Sequence, residues 1–394
     1  MKRVYFDCNA TTAVEPAVVE AMLPYLSGEF GNASSIHGFG QRARGAVETA
    51  REQVASLLGA RAQEIVFTSG GTEADNLAIF GCVAAAKRPA HVITSAIEHH
   101  AVLNACQKLE RDGVAVTYVA VGADGIVDAE EIRRALRAET VLISVMHANN
   151  ELGTIQPIEE IGEIAREAGV AFHTDAVQSA GKLPLDVTRL GVDLLSLSAH
   201  KIYGPKGIGA LYVKTGTRLE PMFYGGHHER DRRPGTENVA AIVGLGRAAE
   251  SARALLDESA TRISAMRDRL EETILETIPH CRVNGDRSRR VANTTNITFA
   301  GAEAESLVIA LDLRGVACAT GAACSSGAVE PSHVLTAIGL TPEQGRSSIR
   351  FSLGRNTVEA EIDFAVNAVR AAVEKLREIS PRYRKSEISP AVGR

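Results

Sequence analysis

The stretch that decides how this sequence folds is residues 196–209, which read SLSAHKIYGPKGIG. It follows the apolar run 192–195, and together they predict a strand that ends in small polar residues. Lys201 lies just past the predicted strand end and precedes a loop rich in glycine and proline. An amine in that place can act as a nucleophile toward a carbonyl group. Most lysines are exposed and solvated, so a functional role for Lys201 depends on the residues upstream of it.

Strand and helix patterns alternate from residue 64 to residue 213, which predicts a mixed, mostly parallel sheet covered by helices on both faces. Residues 240–278 have an almost wholly helical pattern, and a smaller α+β pattern follows them. The sequence therefore predicts an α/β protein with a large domain of residues 13–255. Residues 1–12 and 256–394 are expected to form the smaller domain.

The composition excludes several classes of function. The 394 residues are 45% hydrophobic and 23% charged, and the formal net charge is -5, which argues against a nucleic-acid partner. No apolar run reaches the roughly 18–20 residues that span a bilayer, and the amino-terminal apolar run is too short for a signal peptide. We therefore expect a cytoplasmic protein without a membrane partner. The six scattered cysteines include no CxxC pair, so neither a disulfide framework nor a metal site is expected.

A glycine pair, Gly70 and Gly71, stands between a predicted strand and a predicted helix, followed by Thr72. Glycines let backbone N–H groups approach a phosphate, and the helix N-terminus adds partial positive charge. The alternative is an ordinary helix cap made by Ser69 or Thr72. The Gly-Lys-Ser/Thr ending of a P-loop is missing.

Two further candidates, His99 and Asp175, also follow predicted strands. An imidazole at His99 can stack on a planar cofactor or shuttle protons, although a functionally silent loop histidine is the alternative. A buried carboxylate at Asp175 is costly unless it is paired, and the pyridinium nitrogen of pyridoxal phosphate (PLP) would supply the cation. Asp175 could instead cap the following helix. Because Lys201 and Asp175 end successive predicted strands, they could hold a PLP ring at both ends.

Cys324 and Arg350 are candidates from the carboxyl-terminal part of the chain. Cys324 lies among small residues in TGAACSSG, which favours an exposed, reactive thiol; the alternative is an incidental loop cysteine. Cys318 belongs to a predicted strand and is expected in the core. Arg350 interrupts an alternating strand, where it could bind a carboxylate or face outward from an edge strand.

Ten motifs in family order make the sequence resemble the NifS/IscS cysteine desulfurases, which are PLP-dependent fold-type-I enzymes of the class-V aminotransferase superfamily. The motifs are DCNATT (7–12), FGNASSIHGFG (30–40), FTSGGTEADNLAI (67–79), EHHAVL (98–103), MHANNELGTIQPI (146–158), HTDAVQSAGK (173–182), SLSAHKIYGPKGIGALYV (196–213), RRPGTENV (232–239), TGAACSSG (320–327) and SSIRFSLGR (347–355).

The resemblance implies a role for each matching residue. Lys201 would carry the Schiff base with PLP and move the substrate Cα proton, His99 would stack on the ring and act as acid and base, and Cys324 would take the sulfur. Asp175 would pair with the pyridine nitrogen, and Arg350 would bind the substrate carboxylate. The remaining cofactor contacts would come from Gly71, Thr72, Ser198 and His200 at the phosphate, Gln178 and Asn150 at the ring hydroxyl or substrate, and Thr236 of a neighbouring subunit.

The implied reaction converts L-cysteine to L-alanine and leaves a persulfide on Cys324. A homodimer and a sulfur-acceptor protein are implied as partners, for iron–sulfur cluster assembly on a scaffold or for tRNA thiolation. Cys324 would also be a transient ligand of an iron–sulfur cluster. A selenocysteine lyase is the nearest alternative, and an aminotransferase or a non-catalytic protein of the same fold is more distant.

Overall fold

The computed structural model describes residues 3–86, 89–320, 332–380 and 383. Their strands, in chain order, are β1 (Val4–Tyr5), β2 (Ile65–Thr68), β3 (His91–Ser95), β4 (Ala115–Val119), β5 (Thr140–Ser144), β6 (Ala171–Asp175), β7 (Leu194–Ser198), β8 (Gly209–Val213), β9 (Cys281–Val283), β10 (Thr294–Phe299), β11 (Val316–Ala317) and β12 (Ser348–Ser352).

The helices of the described residues alternate with these strands in the first half of the chain and dominate the second. They are α1 (Pro16–Met22), α2 (Gly38–Leu58), α3 (Gly71–Ala86), α4 (His100–Arg111), α5 (Ala129–Ala135), α6 (Ile158–Ala168), α7 (Val187–Leu190), α8 (Val239–Ala254), α9 (Leu256–Thr277), α10 (Ala304–Asp312), α11 (His333–Ala337), α12 (Pro342–Gly345) and α13 (Glu359–Ile379). None of them is both long and apolar enough to cross a membrane.

Seven strands form the main sheet, in the order β2-β8-β7-β6-β5-β3-β4. The pairs from β7 to β4 are parallel, whereas β8 is antiparallel to both β7 and β2. All residues of β7, an interior strand of this sheet, are buried, as expected for a sheet with helices on both faces. The mixed, mostly parallel sheet predicted from the sequence is therefore confirmed.

A smaller antiparallel sheet, β12-β10-β9, lies in the second half of the chain. Strand β1 pairs in parallel with β11, which brings the amino terminus to this unit. Val4 and Phe6 pack in one buried apolar cluster with residues of α9, α10 and α13. Leu255 stands between α8 and α9, and the domain division at this residue stays a prediction.

Some elements differ from the sequence prediction. The sequence pattern predicts a loop over residues 28–40 and a helix over residues 41–58. Helix α2 instead begins at Gly38, because His37 caps it by accepting a hydrogen bond from the backbone N–H of Gly40. Strand β9 was not predicted, since its three residues are too few to show a period.

Candidate active site

Strands β6 and β7 are neighbours in the sheet and run parallel, so their carboxyl ends meet at one edge. Asp175 is the last residue of β6, and Lys201 ends the short 3-10 turn Ala199–Lys201 that follows β7. Parallel α/β sheets gather ligands at this edge. The sequence prediction that Asp175 and Lys201 lie at the ends of successive strands is confirmed, and the structure adds that these two strands are neighbours in the sheet.

The amine of Lys201 is held by the amino-terminal segment. Its Nζ donates to the backbone carbonyl oxygens of Asn9 (2.5 Å) and Ala10 (2.8 Å). Burial lowers the pKa of Lys201 to about 8, and the positive charge of Arg350 acts in the same direction. A larger share of neutral amine is therefore present near neutral pH than for an exposed lysine.

The turn after Lys201 is fixed by a strained residue with several partners. Tyr203 has a φ of 68°, which L-residues with side chains rarely adopt. Its backbone N–H donates to Thr12 Oγ1 at 2.9 Å, and its hydroxyl accepts from the backbone N–H of Arg355 at 2.5 Å. The Arg355 guanidinium also lies 4.0 Å from the ring centroid. These contacts offset the backbone strain and hold the Lys201 turn in place.

Asp175 presents a buried carboxylate to the same space. Its Oδ1 accepts a hydrogen bond from the backbone N–H of Val177 at 2.8 Å. Burial raises the pKa of Asp175, whereas that hydrogen bond and the charge of Lys201 lower it. A cation bound beside the carboxylate would offset the cost of burying its charge. The site therefore fits a ligand with a protonated ring nitrogen, such as PLP.

His99 is the N-cap residue of α4, and its Nδ1 accepts a hydrogen bond from the backbone N–H of Ala101 at 3.1 Å. In the neutral ring the proton therefore sits on Nε2. Burial lowers the pKa of His99 to about 4, with smaller effects from the charges of Lys201 and His100. The ring is thus neutral at neutral pH and carries a hydrogen-bond donor at Nε2.

A cavity of about 220 Å³ joins these groups. Nine residues predicted from the sequence line it, namely Gly71, Thr72, His99, Asn150, Asp175, Gln178, Ser198, His200 and Lys201. Gly71 begins α3 at its wall, and a Cβ added there would lie 2.8 Å from Val177 Cγ2. A helix N-terminus with backbone this close to the cavity suits a phosphate group.

Three predicted residues lie elsewhere. Arg350 is buried beside the cavity, where it donates to the carbonyl oxygen of Asn150 (3.0 Å) and to Asp7 Oδ1 (2.6 Å). Thr236 is exposed and does not line the cavity. Cys324 lies outside the described residues.

Asp75 also lines the cavity and was not predicted from the sequence. Its side chain is almost fully buried, and its Oδ1 has no hydrogen-bond partner among the described residues. Burial and the charge of Asp175 raise its pKa. The signal that could have identified it is its position four residues after Gly71, because residues i and i+4 share a helix face.

Two observations argue against an alternative functional site elsewhere among the described residues. A wider cleft of about 890 Å³ opens beside Arg166, Lys214 and Arg218, and none of the predicted site residues lines it. Among the residues that the structure describes, no group of three or more His, Cys, Asp or Glu side chains could hold a metal ion. The cavity at Lys201 is therefore the site that the chemistry favours.

Comparisons with known proteins agree with this geometry. The model of the class-V aminotransferase family matches residues 4–364. The chain is 49% identical over 391 residues to cysteine desulfurase IscS of Dictyoglomus turgidum, which covers 99% of both proteins.

Two solved structures are also similar to the structure of this chain. A NifS-like protein matches with a TM-score of 0.89 and 36% identity, covering 95% of this chain and 100% of that one. SspA in complex with cysteine matches with a TM-score of 0.80 and 41% identity, covering 90% of this chain and 99% of that one. The chain therefore belongs to the class-V aminotransferase family and, within it, to the PLP-dependent cysteine desulfurases.

Proposed function

We propose that this chain converts L-cysteine to L-alanine and takes the sulfur as a persulfide on Cys324. The observation that carries the proposal is that one cavity is lined by nine of the predicted residues, with Asp175 and Lys201 at the ends of neighbouring strands. PLP held there supplies an electron sink for bond cleavage at the substrate carbons. Gly71 and Thr72 would hold its phosphate, and Asp175 its ring nitrogen.

Lys201 and His99 would handle the protons. The lowered pKa of Lys201 favours a neutral amine that accepts the substrate Cα proton at Nζ. His99 carries its proton at Nε2, since Nδ1 is occupied by the Ala101 N–H. Because His99 lines the cavity, its Nε2 could donate a proton or a hydrogen bond to a group bound there.

Arg350 would hold the substrate carboxylate. Asp7 and the Asn150 carbonyl fix two of its nitrogens, and its buried Nε has no hydrogen-bond partner among the described residues. An unpaired buried donor is costly. A carboxylate arriving with the substrate would satisfy it and strengthen the charge pairing.

Sulfur transfer would follow by thiolate attack. The Cys324 sulfur forms an S–S bond with the substrate sulfur, while the substrate Cβ–S bond breaks and its electron pair passes to Cβ. Protonation of the carbon then completes alanine, so no external oxidant or reductant is needed. The persulfide would next pass to an acceptor protein, for iron–sulfur cluster assembly on a scaffold or for tRNA thiolation in the cytoplasm.

A single turnover with L-cysteine tests the proposal. We expect one added sulfur on the Cys324 peptide by mass spectrometry without reductant, together with one equivalent of alanine. Cys324→Ala should lower single-turnover alanine release by at least about 100-fold, because the sulfur loses its acceptor.

The matched control is Cys281→Ala, since this thiol lies in β9 and burial raises its pKa to about 11. Cys281→Ala should release alanine at the wild-type rate and show the same added sulfur on the Cys324 peptide. Alanine release from Cys324→Ala at the wild-type rate would remove the sulfur-acceptor role of Cys324.

A further inference from the structure

Lys182 is a second lysine close to the site, and the reaction proposed above does not use it. Its Nζ donates to Gln178 Oε1 at 2.8 Å and to Asn9 Oδ1 at 3.4 Å. It also lines a small cavity behind the site together with Lys201 and Cys8. Burial lowers the pKa of Lys182 to about 7, and the charge of Lys201 adds to this effect. An amine in this place is costly to bury unless it is hydrogen-bonded, and Gln178 and Asn9 supply its acceptors.

The two ends of the Gln178 side chain have different partners. Its Nε2 donates to the backbone carbonyl oxygen of Asn9 at 3.0 Å, and a carbonyl oxygen can only accept. Its Oε1 accepts from Lys182. Both contacts therefore select the same orientation of the amide. Because Gln178 lines the cofactor cavity, the second N–H of Nε2 remains available to a ligand there.

We propose that Lys182 is a positioning residue that fixes the Gln178 amide with its N–H group, rather than its oxygen, directed at the bound cofactor. The group it serves would be an oxygen acceptor on the cofactor ring. The inference rests on the proposed function, because it takes the cavity as the PLP site.

Asn9 does not need Lys182 to hold its own place. Its Oδ1 also accepts from Asn293 Nδ2 at 3.0 Å, and its Nδ2 donates to Thr294 Oγ1 at 2.8 Å. Removing the Lys182 amine would therefore leave Asn9 anchored. Gln178 Oε1 would lose the donor that the structure shows for it, and of the two contacts that orient the amide only the weaker constraint, from Nε2 to the Asn9 carbonyl, would remain.

The test compares Lys182→Met, Lys182→Arg, Gln178→Ala and the double variant K182M/Q178A. For each we would measure the dissociation constant of PLP by equilibrium ultrafiltration and the visible absorbance of the bound cofactor against pH. We expect K182M to weaken PLP binding about tenfold, which corresponds to about 1.4 kcal/mol. We also expect it to shift the pH at which the visible absorbance of the bound cofactor changes. K182R should restore part of the affinity because it keeps donors toward Gln178.

The double variant separates positioning from a general structural effect. If Lys182 acts through Gln178, K182M/Q178A should bind PLP no more weakly than Gln178→Ala alone. Lys214→Met, which removes a half-exposed lysine paired with Asp193, is the control for the lost charge and should bind PLP like the wild type. The proposal would be overturned if the fold-increases of the PLP dissociation constant in the two single variants multiplied in the double variant. It would also be overturned if K182M bound PLP as tightly as the wild type.

If K182M does not fold, Gln178→Glu gives the second test. A glutamate keeps an acceptor for Lys182 but has no N–H to offer the cavity, so it should also weaken PLP binding and shift the absorbance. Wild-type affinity in a folded Q178E protein would equally overturn the inference. A wild-type protein that binds no PLP would instead refute the proposed function itself.

Discussion

Glu98 is the buried carboxyl group whose titration has the clearest consequence for stability. Its Oε1 accepts hydrogen bonds from Ser95 Oγ (2.6 Å) and from the Met146 N–H (2.9 Å), while its Oε2 has no partner among the described residues. Burial raises the pKa of Glu98 to about 8. The folded protein therefore keeps a proton on Glu98 that the unfolded chain releases near pH 4.5.

The sign of the pH effect follows from that difference. A raised pKa means that the stability contributed by Glu98 is present at low pH and is lost as the pH rises from about 4.5 to 8. Glu98→Gln carries no charge at any pH, so it should escape this loss. We expect the unfolding free energy of Glu98→Gln, relative to the wild type, to increase by about 3 kcal/mol between pH 5 and pH 8.

Urea unfolding at a series of pH values measures this change. Buried histidines such as His173, whose pKa is lowered to about 3, are present in both proteins and cancel in the difference. Glu20→Gln, at an exposed position of α1, is the control and should follow the wild-type curve. Parallel curves for Glu98→Gln and the wild type would contradict a raised pKa.

The charged site residues that sequence patterns identify most readily are those at the ends of strands. Asp175 and Lys201 follow apolar runs, and a polar residue at that place stands out in the sequence. Asp75 and Lys182 reach the site from helical or turn segments, where charged residues are common and usually exposed. Only the packing of α3 and of the amino-terminal segment against the strand ends buries them.

At the scale of elements, the start of α3 forms the wall of the site where the phosphate is proposed to bind. A Cβ at Gly71 would lie 2.8 Å from Val177 Cγ2 and 3.6 Å from Ser198 Cβ. Gly71→Ala should therefore narrow the cavity and raise the PLP dissociation constant at least about tenfold, because backbone N–H groups could no longer approach the phosphate closely. Equilibrium ultrafiltration measures that constant.

Gly45→Ala is the matched control. Gly45 lies on the exposed side of α2, and a Cβ there meets nothing within 4 Å. This variant should leave PLP binding unchanged and stabilise the protein by about 0.5–1 kcal/mol through helix propensity. If Gly71→Ala bound PLP as tightly as Gly45→Ala does, the phosphate would not lie at α3.

Sequence patterns predicted the long elements better than the short ones. The periodicity of residues 100–111 predicts a helix with these bounds, and α4 runs from His100 to Arg111, because twelve residues show the helical period clearly. Helix α7 has four residues and strand β9 has three, and both were missed. Such short elements are held by tertiary contacts, which the local sequence does not encode.

At the scale of the whole molecule, several large apolar side chains remain exposed. Ile36 is 92% exposed, Phe30 71% and Tyr224 87%. Tyr224 belongs to the same connection between β8 and α8 as the exposed Thr236. Phe30 lies beside the exposed Phe39, with ring centroids 5.5 Å apart, and contiguous exposed apolar surface is typical of protein interfaces. It agrees with the expectation, implied by the sequence resemblance, that a second copy of the chain contributes Thr236 to its neighbour's phosphate site.

Mixed dimers test that arrangement. Lys201→Ala and Thr236→Asp, which sets a carboxylate against the phosphate, should each be nearly inactive alone. In a dimer with one subunit of each kind, the Thr236→Asp subunit keeps its own Lys201 and receives an intact Thr236 from its neighbour. One of two sites is then complete, so tandem-tag-purified mixed dimers should release alanine from L-cysteine at about half the wild-type rate.

The control is a dimer of two Lys201→Ala subunits that carry different tags and are purified in the same way. This control should stay inactive. If mixed dimers that sediment as dimers were as inactive as this control, Thr236 would not act across the interface. An active species that sediments as a monomer would contradict the dimer itself.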